Sequence, residues 1–160
     1  MATQIAAPAE PTVVRRVFEA WSIEVPASFE ETFVDADSYW HAYGVDRSVS
    51  MTSIVLTDKG RPVSAERIAR RIPPQDGSPV DVLPIGLIGR AATSAADQPA
   101  RASQALSGAL AAEGRLLLVT ITSDDPEWAQ RVWRSIRGHP APLPSRRERR
   151  ARRYGRRGGR

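Results

Sequence analysis

The segment RLLLVTITS, residues 115–123, constrains the fold more than any other part of the chain. Its β-branched residues favour a strand, and its first half is apolar on both faces of such a strand. Because apolar residues on both faces need cover on both sides, we predict that this strand lies in the centre of a sheet. The Glu113-Gly114 pair before it predicts a tight turn, and therefore a hairpin with the stretch that precedes it.

The residues that follow this strand predict an amphipathic helix. Asp124 or Asp125 can cap its N-terminus, and Pro126 fits the first helical turn. The apolar stripe consists of Trp128, Val132 and Ile136, spaced four apart. This spacing places three bulky side chains on one helix face, which we expect to pack against the sheet.

Alternating apolar residues predict further strands upstream. We interpret 13–25 as one strand ended by Pro26, 39–44 and 48–58 as a hairpin, and 84–95, 102–112 and 115–123 as a three-stranded meander. We interpret 27–38 as an acidic loop. A second helix is predicted over 65–72 after an N-cap at Ser64.

The resulting fold class is α+β, with an antiparallel β-sheet of about six strands flanked by helices in an α/β/α sandwich. The 160 residues have room for one domain and a tail. We expect a disordered Ala/Pro-rich N-terminus over 1–11, a single domain over 12–139, and a Pro linker with an Arg-rich disordered tail over 140–160.

Two stretches resemble PsbP-like domains. WSIEVPASFEE, residues 21–31, is similar to the opening strand of that family, and residues 113–137 are similar to its closing strand, turn and helix. The resemblance implies a PsbP-like α/β/α sandwich for residues 12–139. It also implies a fold used mostly for binding proteins, and it carries no shared catalytic residues to this chain.

The chain contains no cysteine, which excludes disulfides and thiolate metal sites. Its N-terminus lacks the charged and apolar regions of a secretory signal, and its longest apolar run, 116–119, is far too short to cross a bilayer. We therefore expect a soluble cytoplasmic protein.

No pattern of catalytic, cofactor-binding or metal-ligating residues stands out. His41 and His139 lack the spacing of a metal-binding pair, and Asp35 with Asp37 lacks the further ligands and the glycine of a calcium loop. The sequence contains no Gly-x-Ser-x-Gly motif. We therefore predict that the protein is not an enzyme and needs no cofactor or metal, with an uncharacterised hydrolase as an alternative.

The strand YWHAY is the candidate protein-binding surface. Its alternation places Tyr39, His41 and Tyr43 on one face and Trp40 and Ala42 on the other. Either the domain covers both faces, or one face is a recognition surface, since Tyr and Trp favour interfaces. We assign Tyr39, Trp40 and Tyr43 to this surface.

The charge is unevenly distributed. The formal net charge of +5 divides into +8 for residues 145–160 and −3 for the rest of the chain. The candidate anion- or nucleic-acid-binding residues are Arg146, Arg147, Arg149, Arg150, Arg152, Arg153, Arg156, Arg157 and Arg160. Such a tail favours a polyanion, and a membrane surface less, because only Tyr154 could insert into it; a solubilising extension is the alternative.

These observations predict a non-enzymatic protein-binding, adaptor or chaperone-like domain, whose tail tethers it to an anionic partner. RNA or DNA binding through the tail is the alternative. A protein partner is expected, and the oligomeric state stays open.

Overall fold

The computed structural model describes residues 9–34, 38–96 and 103–143. Within them the chain forms one seven-stranded, one three-stranded and one two-stranded antiparallel sheet and two short helices. The seven-stranded sheet has the order β3 (Glu30–Val34), β4 (Tyr39–Tyr43), β5 (Ser48–Val55), β11 (Arg115–Ser123), β10 (Gln104–Ala112), β9 (Ile88–Ala95) and β8 (Ser78–Pro79). The three-stranded sheet has the order β1 (Thr12–Val17), β2 (Trp21–Pro26) and β12 (Arg137–Gly138). The remaining elements are β6 (Thr57–Asp58) paired with β7 (Arg61–Pro62), α1 (Ala65–Ala69) and α2 (Pro126–Arg134).

The predicted fold class was wrong. The structure is mostly β, and its two helices are too few and too short to make the flanking layers of an α/β/α sandwich. The antiparallel character of the sheet is confirmed. On one face of the seven-stranded sheet the apolar cover comes from a second sheet together with α2, so strands share the packing that we had assigned to helices.

The strand over 115–123 does lie in the centre, as predicted. β11 is the fourth of seven strands, between β5 and β10. The hairpin of β4 with β5 and that of β10 with β11 are also confirmed. Gly114 has a φ of +66° in the turn before β11, a conformation that glycine adopts without strain. Asp125 caps α2 by accepting hydrogen bonds from the backbone N–H groups of Glu127 and Trp128.

The single strand expected over 13–25 is in fact a hairpin. β1 and β2 pair in antiparallel register on either side of Phe18, Glu19 and Ala20. Phe18 and Glu19 have φ values of 54° and 60°, the left-handed region usually taken by Asn or Gly. The Phe18 ring packs edge-on against Phe33, with centroids 6.5 Å apart. This packing helps to hold a turn that the sequence does not signal.

The main core lies between the three-stranded sheet with α2 on one side and the seven-stranded sheet on the other. Three tryptophans, Trp21, Trp40 and Trp133, have no exposed surface. The Trp21 indole N–H donates to Ser53 Oγ at 3.1 Å, and that of Trp133 donates to the Val82 carbonyl oxygen at 2.8 Å. These bonds satisfy the polar ends of two of the largest core side chains.

Gly108 shows how closely this core is packed. A Cβ atom at Gly108 would lie 2.6 Å from Cζ3 of Trp133 and 3.0 Å from Cβ of Ala91. The Trp133 ring therefore occupies the space that a side chain at Gly108 on β10 would need.

The other face of the seven-stranded sheet has a smaller cover. Ile68 and Ile72, in and just after α1, pack on Ala109 and Ala111 of β10 in a second apolar cluster. With five residues, α1 covers only one end of this face. Neither helix in the part of the chain described is long and apolar enough to cross a membrane.

Candidate functional site

The face of the seven-stranded sheet that carries α1, here called the outer face, is the candidate site. Along β11 the alternation of a strand turns Leu117 and Val119 into the core and Leu118 and Thr120 to the outer face. Leu117 has no exposed surface, whereas Leu118 is 41% exposed. Beyond α1 the outer face is therefore open to solvent.

Three aromatic side chains form a row across this open part. Tyr39, His41 and Tyr43 of β4 lie on the outer face, with the His41 ring stacked on Tyr43 at a centroid distance of 5.2 Å. The Tyr39 and His41 centroids are 6.4 Å apart. We call these three residues the Tyr-His-Tyr row. Ring stacking fixes their orientation while leaving one side of the row accessible.

Hydroxyl groups continue the surface from the row. On β5 the direct partners of the row are Thr52, Ser50 and Ser48, and on β11 the next partners are Leu118, Thr120 and Thr122. Five of these six side chains are small hydroxyls that both donate and accept hydrogen bonds. The open face therefore combines an aromatic edge with a polar, shallow floor.

Tyr43 is held at its outer end by Glu30 of the edge strand β3. Its phenolic O–H donates to Glu30 Oε2 at 3.0 Å. This hydrogen bond, with the negative charge of the carboxylate and a small desolvation effect, raises the pKa of Tyr43 above its ordinary value. Tyr43 is thus a protonated hydrogen-bond donor at physiological pH.

A cavity of about 420 Å³ lies where α1 meets the outer face. Its floor is formed by Ala109, Leu116 and Leu118, and Ile68 of α1 forms part of its wall. Arg71, just after α1, also lines it. Leu118 therefore belongs both to this cavity and to the open sheet surface.

The predicted surface residues do not all come together. Tyr39 and Tyr43 lie on the outer face, but Trp40 points into the core with no exposed surface. Its indole N–H donates to Glu31 Oε2 at 3.0 Å. Alternation along β4 separates Trp40 from its neighbours, so we replace it in the candidate surface with His41.

Two other groups of residues that the sequence suggested as binding sites lie outside the described residues. These are the tail arginines Arg146, Arg147, Arg149, Arg150, Arg152, Arg153, Arg156, Arg157 and Arg160, and the acidic residues Asp35 and Asp37. Within the described ranges, no group of three or more His, Asp and Glu side chains is placed to hold a metal ion.

The Ser22–His139 pair is the arrangement closest to a catalytic dyad. Ser22 Oγ and His139 Nε2 are 2.7 Å apart. Ser22 is only 4% exposed, and among residues 9–34, 38–96 and 103–143 no carboxylate is hydrogen-bonded to His139. His139 also donates its backbone N–H to the Ala20 carbonyl at 2.7 Å, so the pair fastens the end of the domain to β2.

The sequence reasoning missed the cavity at α1. We had assigned residues 65–72 only to a helix, and Leu118 to a strand covered on both sides. The available signal was the segment AERIARRI, in which Arg67 and Arg71 each precede an isoleucine of the apolar face. That spacing places cations along the edge of the buried stripe.

No protein-family model and no curated protein matches this sequence. Among solved structures, the fold is similar to the 1.50 Å crystal structure of a protein from Bacteroides thetaiotaomicron VPI-5482, with a TM-score of 0.54 and 9% sequence identity. The similarity covers 82% of this chain and 49% of that chain, so this protein spans about half the length of its neighbour. At this identity the comparison shows the fold alone. The resemblance to PsbP-like domains stays a prediction.

Proposed function

We propose that this protein is a non-catalytic binding domain that holds a protein partner on the outer face of its seven-stranded sheet. The observation that carries the proposal is the open Tyr-His-Tyr row beside a floor of hydroxyl side chains. Tyrosine is enriched at protein interfaces because it adds apolar area and a hydrogen-bonding hydroxyl at a small entropic cost.

Exposed apolar side chains at one end of the row support a protein partner. Val34, Ile54 and Leu118, all on the outer face, are 59%, 37% and 41% exposed. They lie near Tyr39, while the carboxylate of Glu30 lies at the Tyr43 end. An apolar patch with a polar rim is the usual composition of a specific interface.

The hydrolase alternative receives little support from the described residues. The buried Ser22 hydroxyl is not presented to a substrate, and His139 has a structural role in fastening the domain end. A nucleophile needs an accessible position and an oriented base.

Substitution of both tyrosines tests the proposal. We expect Tyr39→Ala with Tyr43→Ala to weaken capture of a cross-linked cellular partner by at least about tenfold, since aromatic residues dominate interface energies. Val45→Ala, at a loop residue 97% exposed, is the matched control. Equal recovery of the same partners by all three proteins would refute the proposed surface.

We propose that the tail makes a second contribution to binding, which can be tested separately from the outer face. Its composition supports a polyanion tether, since nine arginines and one glutamate follow a body of opposite net charge. Removal of residues 145–160 should lower the salt concentration at which the protein elutes from heparin, because fewer phosphate- or sulfate-bound counterions are released. Unchanged elution would exclude the tether. Nuclease-sensitive recovery of partners by the full chain would favour the alternative, RNA or DNA binding.

A further inference from the structure

We infer that the cavity between α1 and the outer face binds an unbranched aliphatic carboxylate. This site goes beyond the proposed protein-binding surface, and apart from Leu118, which belongs to both, it is built by different residues. Its volume of about 420 Å³ falls within the ~300–1,000 Å³ typical of small-ligand sites.

The cavity wall favours an apolar ligand body. Ile68, Ala109 and Leu116 line it from the helix and from the sheet. Leu118, 41% exposed, marks the side on which it opens to the outer face. An alkyl chain that enters from Leu118 towards Ile68 would meet methyl and methylene groups along its length.

The charges at the cavity favour an anionic head group. The charged residues that line the cavity are Arg67, Arg71 and Asp58. Arg67 Nη1 is 2.9 Å from Asp58 Oδ2, so one cation is already paired. Arg71 has no carboxylate within 4.0 Å among the residues that the structure describes. Its guanidinium is therefore available to bind a carboxylate through two parallel hydrogen bonds.

The same charges disfavour two other occupants. The Arg-rich tail would bring nine more cations to a cavity whose lining already holds Arg67 and Arg71 against one carboxylate, Asp58. A second copy docked symmetrically at this site would place the Arg71 side chains of the two copies near each other, and like charges at an interface repel. A small anionic amphiphile matches both the apolar wall and the basic mouth.

Titration of the full-length protein with dodecanoate below its micelle concentration tests the site. We expect saturable shifts of the backbone amide NMR signals of Ile68, Ile72, Leu116 and Leu118. Dodecyltrimethylammonium, with the opposite charge, should leave these signals unchanged. The tail is present in every variant, so its own attraction for dodecanoate contributes equally when the variants are compared, and the cavity amides report binding at the site itself.

Two variants separate the apolar and ionic parts of the site. Leu118→Glu places a carboxylate at the exposed mouth, and Arg71→Gln removes the unpaired cation; each should weaken dodecanoate binding by about tenfold or more. Thr120→Glu, two residues along the same strand face, is the matched control and should bind as the unmodified chain does. Absence of saturable shifts at the cavity amides, or equal weakening by Thr120→Glu and Leu118→Glu, would overturn the inference. A short single-stranded oligonucleotide that shifts the same amides and displaces dodecanoate would reassign the arginines to nucleic acid, and this too would overturn it.

Discussion

The two faces of the seven-stranded sheet differ in what they carry and in what covers them. The core face presents large side chains such as Trp40, Met51 and Leu117, and it is covered by the three-stranded sheet and α2. The outer face presents alanines, serines and threonines together with the Tyr-His-Tyr row and the partly exposed Leu118, and its cover is the five-residue helix α1 with the adjoining Ile72. The strands are shared, so the difference arises entirely from alternate residues of the same segments. One face is buried in the core, and the other is the face that we propose for binding.

The largest expected effect separates two consecutive leucines on β11. Leu117→Ala should lower the free energy of unfolding by about 2–5 kcal/mol, because it leaves a cavity in a close-packed core. Leu118→Ala should cost less than about 1 kcal/mol, because its side chain is already partly in water. Urea unfolding of both variants measures the difference. Equal losses of unfolding free energy in the two variants would show that Leu118 is packed like a core residue and that the outer face is not open at this point.

A smaller effect is expected one strand away, on β10. Gly108→Ala should cost about 1–3 kcal/mol, because the added methyl group meets the Trp133 ring. Ser107→Ala, on the outer face beside it, should change stability by no more than about 0.5 kcal/mol. Thermal unfolding followed by circular dichroism provides the comparison. A neutral Gly108→Ala variant would contradict the close packing inferred at this point.

The two helices that help to cover these faces, α1 and α2, should also differ in stability. Asp125 accepts two backbone hydrogen bonds, at 3.0 and 3.1 Å, at the start of α2, whereas Ser64 accepts one at 3.3 Å at the start of α1. Asp125→Ala should cost about 1 kcal/mol and Ser64→Ala about 0.5 kcal/mol or less. Hydrogen exchange should show α1 opening more readily than α2 in the unmodified protein. Slower amide hydrogen exchange in α1 than in α2 would contradict the prediction that α1 is the less stable helix.

The smallest effect concerns ionisation on the outer face. Because the pKa of Tyr43 is raised in the folded protein, its hydrogen bond to Glu30 contributes to stability below the ordinary phenol pKa of about 10 and is lost as pH rises through the raised value. Glu30→Gln should therefore shift one phenol titration, followed by ultraviolet absorbance, to lower pH. Glu113→Gln, at an exposed turn, is the control and should leave it unchanged. An unaltered Tyr43 titration in Glu30→Gln would show that the Glu30 carboxylate does not interact with Tyr43 in solution.

Strands with strong alternation could be predicted from the sequence. The central position of β11, the hairpin before it and the Asp125 cap all follow from local patterns of β-branched residues, glycine and aspartate. The division of YWHAY into two faces also follows from the period of a strand, although its inner face could not be identified. Both tyrosines were assigned correctly to one face, and Trp40 was grouped with them only for its residue type.

The remaining elements depend on tertiary contacts that a local pattern does not contain. The Phe18-Glu19 turn lacks the Asn or Gly that marks such hairpins, and its aromatic contact comes from Phe33, on β3. β3 itself resembles an acidic loop, since an edge strand need not bury either face. The cavity at α1 could not be found from the sequence, because it depends on where a short helix rests on a distant hairpin.

Site-specific photocross-linking tests the division between the faces most directly. A benzophenone amino acid is introduced in place of Thr120, on the outer face, or of Val14, which is 69% exposed on β1. The full-length protein is then irradiated in its native cells. We predict a discrete cross-linked adduct from position 120, reduced when Tyr39 and Tyr43 are both alanine, and none from position 14. An adduct from position 14 alone, or one from position 120 that does not depend on the two tyrosines, would contradict the assignment of the outer face as the binding face.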